Sequence, residues 1–202
     1  MKNHHIIAMD TRGHGRSTMD SVPFSYELYA SDAAGLLESL GIAKAAWVGW
    51  SDMAMGTYAA LMDAHNSSLI DRAFAFGGGH EVASTNASFT STAIYGEFVT
   101  RAQQEYQKLQ PNGNLTAFAN AVATLEGTQP NWAQSDFSKI KLGSKVTVSD
   151  GQYEEAIVLS EPALLHSWIK GSRLATMTNV SHFAPVQDPV QFAVKVESFL
   201  KA

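Results

Sequence analysis

The spacing of apolar residues changes repeatedly along the chain, between short runs that suit a strand and wider stripes that suit a helix. The run at 5–9 is the first strand expectation, and turn residues crowd the segment 10–17 behind it. Ser25 then offers an N-cap, and Tyr29, Ala33, Leu36, Leu37 and Leu40 fall on one helical face. Gly41 sits where a helix-terminating glycine belongs. Residues 45–49 read as a buried strand and 53–64 as a helix. Residues 72–76 read as another strand, running into Gly77, Gly78 and Gly79.

Between 81 and 140 the strand signal stops. Ile94, Phe98, Ala102, Tyr106 and Leu109 mark one amphipathic helix, and Leu115, Phe118, Val122 and Leu125 mark another, with a turn at 111–113. Strands return at 145–149 and 173–177. A last helix is signalled by Asp188 as N-cap, Pro189 at the first helical position and Gln191 to complete a capping box, with Phe192, Val196, Phe199 and Leu200 as its buried stripe. Strands alternating with helices predict an α/β class, a mostly parallel sheet between helical layers. The excursion at 81–140 predicts a small helical cap over the C-terminal edge of that sheet, inside a single domain spanning 1–202.

Composition narrows the function classes. Hydrophobic residues make up 45% and charged residues 16%, the balance of a chain with a packed core. Fourteen basic against 19 acidic side chains, with no run of either sign, argue against a nucleic-acid partner. No apolar stretch approaches the roughly 20 residues of a membrane helix. The absence of cysteine excludes disulfides, thiolate catalysis and cysteine–zinc sites. The start, Met-Lys-Asn-His-His-Ile-Ile, has one lysine and too short an apolar run for a signal peptide. Four Asn-x-Ser/Thr sequons, at Asn66, Asn86, Asn114 and Asn179, exceed the one or two expected by chance and fit either a secretory parent protein or coincidence, so the compartment stays open.

Ser51 carries the sharpest chemical signal. Gly49-Trp-Ser51-Asp52 lies between a predicted strand and a predicted helix, the context of a nucleophile elbow. Such a turn lifts the hydroxyl above the sheet and aims helix-start N–H groups, that of Asp52 first, at an oxyanion. Met53 occupies the place where such elbows usually carry a second glycine, and Gly56 comes too late to replace it. After the strand at 145–149 come three carboxyl candidates, Asp150, Glu154 and Glu155; after the strand at 173–177 comes His182. Serine, acid and histidine in this order, each behind a strand, converge at the C-terminal edge of the sheet. Trp50, His80 and Phe183 are candidate substrate contacts, although loop packing explains His80 equally well. Tyr95, Phe98, Tyr106 and Trp132 could wall an apolar pocket or simply pack a core. His4 and His5 read as solvent-facing, His14 as part of a turn, and Asp10 and Arg12 as ties between loops. No phosphate-binding glycine pattern occurs, and neither a metal nor a cofactor is expected.

Together these segments resemble the α/β-hydrolase superfamily, in its esterase, lipase and haloperoxidase-like branch. Asp10-x-Arg12-Gly-His-Gly-Arg-Ser17 resembles the loop after that family's fourth strand, and Gly49-Trp-Ser-Asp52 its elbow. Residues 150–157 resemble its acid loop, with Glu154 in the acid's place, and Ser181-His182-Phe-Ala-Pro185 resembles its histidine segment. The resemblance implies a three-layer fold and an ester-like small-molecule substrate, cleaved through an acyl-enzyme by Ser51, His182 and Glu154. A haloperoxidase-like or carbon–carbon bond hydrolase would use the same residues. It also implies three strands before residues 5–9, the third of them carrying a second oxyanion donor and lying between the strands at 5–9 and 45–49. The chain is therefore expected to be N-terminally truncated, with either a gap in its sheet or closure of 5–9 onto 45–49. An impaired hydrolase, or a protein that binds a ligand or partner without turnover, is the alternative expectation.

Overall fold

The structure, a computed structural model, describes residues 4–202. Met1, Lys2 and Asn3, the start of the segment read against a signal peptide, lie outside the described residues. Four parallel strands form the sheet in the order β1 (Ala45–Trp50), β2 (Ile70–Phe76), β3 (Val146–Gly151), β4 (Arg173–Met177). The connections are helical. Helix α1 (Tyr26–Ser39) precedes β1; α2 (Asp52–Met62) and α3 (Ala64–Ser68) join β1 to β2; α7 (Glu161–Trp168) joins β3 to β4; α8 (Ala184–Gln187) and α9 (Pro189–Lys201) follow β4. Between β2 and β3 lies the long insertion, with α4 (Ala93–Leu109), α5 (Leu115–Thr128) and α6 (Gln134–Phe137).

Alternation along β2 divides the core. Ala73 and Ala75 point into one apolar cluster with α1, α2 and α7; Phe74 and Phe76 point into a second with Phe192, Phe199 and Leu200 of α9. Small residues on one face let α2 approach, and aromatic residues on the other fill the space under α9. Both faces of the strand are covered, as a parallel sheet requires. The ends of α1 follow its sequence signals. Ser25 accepts from the Leu28 N–H, while the Gly41 and Ile42 N–H groups return to the carbonyls of Glu38 and Leu37 in a Schellman closure.

Several expectations are corrected. Residues 5–9 form no strand. They keep the alternation of one, with Ile7 packed on the core and Ile6 exposed. Among the described residues, however, nothing pairs with their backbone, because β1 is the edge of the sheet and accepts no neighbour on that side. The expected closure of 5–9 onto 45–49 is therefore not made: the segment lies outside the sheet. The strand expected at 145–149 starts one residue later and runs on to Gly151, so Asp150 is a strand residue. At α9 the Asp188 side chain accepts from the Gln191 N–H, but the box is not reciprocal. The Asp188 N–H already donates to the Ala184 carbonyl, and the Gln191 amide turns to Thr178 and the Asp188 carboxylate instead. Helices α3, α7 and α8 were not foreseen, being too short to show a period. The helix expected at 53–64 divides at Asp63 into α2 and α3, where Asp63 caps the second piece by accepting from the Asn66 N–H.

The loop at 10–17 is tied as its residues suggested. Arg12 reaches Asp32 on α1 and Asp20, the Asp10 carboxylate accepts from the Arg16 N–H, and His14 Nδ1 donates to the Arg12 carbonyl. Gln110, past the end of α4, donates to the carbonyls of Gly13 and Ser17 and so moors the insertion to this loop. His4 and His5 are exposed. Of the sequons, Asn66 is buried in α3 and cannot carry a glycan in this fold.

Candidate active site

Ser51 stands between the last residue of β1 and the first of α2, with φ 57° and ψ −122°. A non-glycine residue held in this region is strained, and the surrounding bonds keep it there. Its N–H donates to the Phe76 carbonyl, extending the β1–β2 ladder, and its own carbonyl accepts from Ala54 and Met55 of α2. Gly49 gives the turn its room: a Cβ there would lie 2.0 Å from the Met53 carbonyl oxygen. The expected difficulty with Met53 has a local solution. Its Sδ and Cε pass 3.3 Å from where a Cβ of Gly56 would be, so Gly56 provides the trough in which the thioether lies.

His182 comes from the loop after β4. Its Nε2 is 2.9 Å from Ser51 Oγ and its Nδ1 is 2.8 Å from Glu154 Oε1. The serine to histidine contact is a hydrogen bond; the histidine to glutamate contact is close but off the axis of the N–H, as such pairs often are without substrate. Carboxylate on the Nδ1 side fixes the proton there and leaves Nε2 to accept from the serine hydroxyl. The ring is wedged from behind by Gly77 (φ +66°), where any Cβ would sit 2.8 Å from it. Trp50 Nε1 donates to the His182 carbonyl at 2.8 Å, and the Glu155 carboxylate accepts from the His182 N–H at 3.0 Å. The three acid candidates thus separate. Glu154 reaches the imidazole, Glu155 holds the same residue's backbone, and Asp150 lies behind Glu154.

Glu154 is buried, and its Oε1 also accepts from the Ala156 and Ile157 N–H groups at 2.8 and 3.0 Å. Burial raises its pKa, but the His182 imidazole and then the Asp150 carboxyl beside it outweigh this and hold the carboxyl below the ordinary range. Asp150 moves the other way: burial first, then the neighbouring Glu154 carboxyl and its charge, push it far above the ordinary range. Asp52 opens α2, so its N–H has no intrahelical acceptor. Its side chain turns aside to accept from Tyr26 Oη at 3.1 Å, and burial raises its pKa.

Around the imidazole the walls are aromatic. Phe183 packs on Trp50 and Phe98, and Phe89 lies 5.9 Å from the His182 ring and 6.2 Å from Phe183, in reach of Tyr95. Two of the four aromatic residues singled out in the sequence, Tyr95 and Phe98, belong here. Tyr106 instead stacks on Phe118, and Trp132 packs on Tyr26 and Phe137. Phe89 was missed because it lies in an irregular stretch with no period to expose it. His80 is not brought to this group: its Nδ1 is 2.6 Å from Glu161 Oε1 and its ring packs edge-on against Trp168. A cavity of about 190 Å³, lined by Asp150, Gln152, Leu159, Pro162, Leu174 and Thr176 among others, lies at the β3–β4 edge and does not include Ser51 or His182. Among the described residues no group of three or more His, Asp or Glu side chains could hold a metal ion, and no helix is long and apolar enough to cross a membrane.

An esterase from Exiguobacterium antarcticum superposes on this chain with a TM-score of 0.72 at 16% identity, covering 95% of this chain and 80% of that one. This is the α/β-hydrolase fold. A hydrolase from Pseudomonas aeruginosa shares the α/β-hydrolase fold with a TM-score of 0.70 at 20% identity, over 95% of this chain and 78% of its own. An enol-lactonase from Burkholderia xenovorans does so with a TM-score of 0.69 at 18% identity, over 95% and 79%. No protein-family model matches the sequence, and no curated protein is significantly similar to it.

Proposed function

We propose that this α/β-hydrolase-fold protein is a serine hydrolase that cleaves a small or medium carboxylic ester through an acyl-enzyme. The observation that carries the reading is the 2.9 Å contact between Ser51 Oγ and His182 Nε2, made by a serine held at positive φ at the mouth of α2. Ser51 Oγ attacks the ester carbonyl carbon while its proton passes to Nε2, and Glu154 stabilises the imidazolium that forms. The Asp52 N–H donates to the oxyanion. Collapse breaks the bond to the leaving alkoxide, which takes the proton from His182 and departs as the alcohol. A water then repeats the sequence on the acyl-enzyme, with His182 as base, and releases the acid. Helices α4–α6 serve as the cap, and Phe89, Tyr95, Phe98 and Phe183 favour an apolar acyl or alcohol group. That solved structures of the same fold include an esterase and an enol-lactonase, a lactone being an internal ester, supports the substrate class.

The test is labelling of the folded chain with a fluorophosphonate, with the adduct mapped by mass spectrometry. An adduct on Ser51 that vanishes in His182→Ala is the expected result. A folded chain that takes no label, and binds small apolar ligands equally well after Ser51→Ala, would be a binding protein on a hydrolase scaffold.

A further inference from the structure

We propose that Asp150 is a positioning residue that stays protonated in the fold and donates its proton, in a hydrogen bond, to the oxygen of Glu154 that His182 does not use. The inference rests on the hydrolase reading only for its consequence in catalysis; the protonation itself follows from the geometry.

All the donors found at Glu154 converge on one atom. Oε1 takes the Ala156 and Ile157 N–H groups and lies 2.8 Å from the imidazole Nδ1. Oε2 is buried and has no donor among the hydrogen bonds the structure otherwise provides. Asp150 shows the mirror image: Oδ1 accepts from the Gly151 N–H at 2.8 Å, and Oδ2 is buried without a partner. Two orphaned carboxyl oxygens in adjacent buried groups are each costly, and like-charged carboxylates in contact are costlier still. One proton between them removes both penalties. It belongs on Asp150, because Glu154 has two N–H donors and the imidazole beside it to stabilise an anion, and Asp150 has one donor. The hydrogen-bonding and burial effects at the two groups run in the same directions. The other ionisable groups that face Asp150 sharpen the assignment: Glu155 is acidic, and the Tyr58 hydroxyl on α2 is buried and neutral, so among the described residues no cation is found acting on Asp150 to support a second carboxylate. The cavity at the β3–β4 edge is lined in part by Asp150 and by neither Ser51 nor His182. The consequence for catalysis is orientation. A donor on Oε2 prevents the Glu154 carboxyl from rotating and presents Oε1 to Nδ1.

The experiment begins with the unaltered protein. Carbon-13 NMR that correlates each aspartate Cγ with its own backbone reads Asp150 directly, and the expected Cγ shift at neutral pH is that of a carboxylic acid. A Cγ that titrates near the usual aspartate value of about 3.9 overturns the proposal. Thermal unfolding supplies the second reading. A group whose folded pKa is raised loses its stabilising contribution as pH rises above the unfolded value, so Asp150→Asn should gain melting temperature relative to wild type progressively from about pH 5 to about pH 8. A difference that stays flat across that range overturns the proposal as well. For the orientation role, Asp150→Ala removes the donor and should slow Ser51 labelling by about tenfold or more, while Asp150→Asn, whose amide can donate to the same oxygen, restores it. Equal loss in both variants overturns the donor role. Failure of wild type to label would sink the hydrolase reading alone, since the Cγ shift and the unfolding series still decide Asp150.

Discussion

Among the described residues, two histidines set Nδ1 against a buried glutamate, and only one of these pairs has the makings of chemistry. In both, imidazole Nδ1 meets a buried glutamate Oε1, at 2.8 Å for His182 and Glu154 and 2.6 Å for His80 and Glu161. A serine attends each. Ser51 sits on the far nitrogen of His182, whereas Ser84 Oγ lies 3.3 Å from the same nitrogen of His80 that the glutamate already holds. The far nitrogen of His80 faces Glu81 at 3.6 Å. Ser84 also caps its own short turn, accepting from the His80 and Glu81 N–H groups at 3.3 Å. An acid beside a histidine is thus a common structural tie. What separates the two is that Ser51 is held at positive φ on a strand-to-helix turn, opposite Nε2.

The comparison breaks most visibly at the serines. Ser51→Ala should abolish fluorophosphonate labelling and reduce ester turnover by about four orders of magnitude or more. A Ser51→Ala variant that still turns over would end it. Next in size is the acid: Glu154→Gln keeps the shape but cannot stabilise an imidazolium, and hydrolysis should fall by about two to four orders of magnitude. Glu161→Gln should leave Ser51 labelling within about twofold and instead lower the melting temperature, because it weakens buried bonds worth about 1–3 kcal/mol. Trp50→Phe deletes the donor to the His182 carbonyl and should slow labelling about three- to tenfold, with little change in melting temperature. The smallest effect is on acid stability. Glu154 has a lowered folded pKa, so its contribution is present above the unfolded value of about 4.3 and is lost as pH falls. The melting-temperature gap between wild type and Glu154→Gln should therefore narrow below about pH 4, which differential scanning fluorimetry would read.

What could be read in the sequence followed from how local each feature is. The elbow was legible because Gly49, Ser51 and the change from strand to helix lie within a few residues. The caps at Ser25 and Asp188 were legible for the same reason. The status of residues 5–9 was not, since an alternating pattern says which side faces inward but pairing needs a neighbour supplied from elsewhere. The choice among Asp150, Glu154 and Glu155 turned on which oxygen meets which nitrogen, a distinction of about one ångström that spacing cannot carry. Met53 was read as an obstacle because the trough beneath it comes from Gly56, one helical turn away, and its size depends on how the side chain bends. His80 shared every compositional mark of a site residue and was claimed by Glu161, a residue 81 positions further on.

The two ends of the long insertion touch. Glu81 and Asn131 form an antiparallel bridge, and the Trp132 N–H donates to the His80 carbonyl just outside it. A segment whose entry and exit are neighbours costs little in loop closure even when it is long; its other ties to the host include those of Gln110 to the 10–17 loop, of Thr85 to Ile157 and of Leu125 in the core. Residues 82–130 therefore form a cassette whose two ends meet. Because that cassette carries Phe89, Tyr95 and Phe98 while Ser51, Glu154 and His182 stay behind in the scaffold, pocket shape and reactive groups can be altered independently, by transplanting loops of other lengths between the same two anchors.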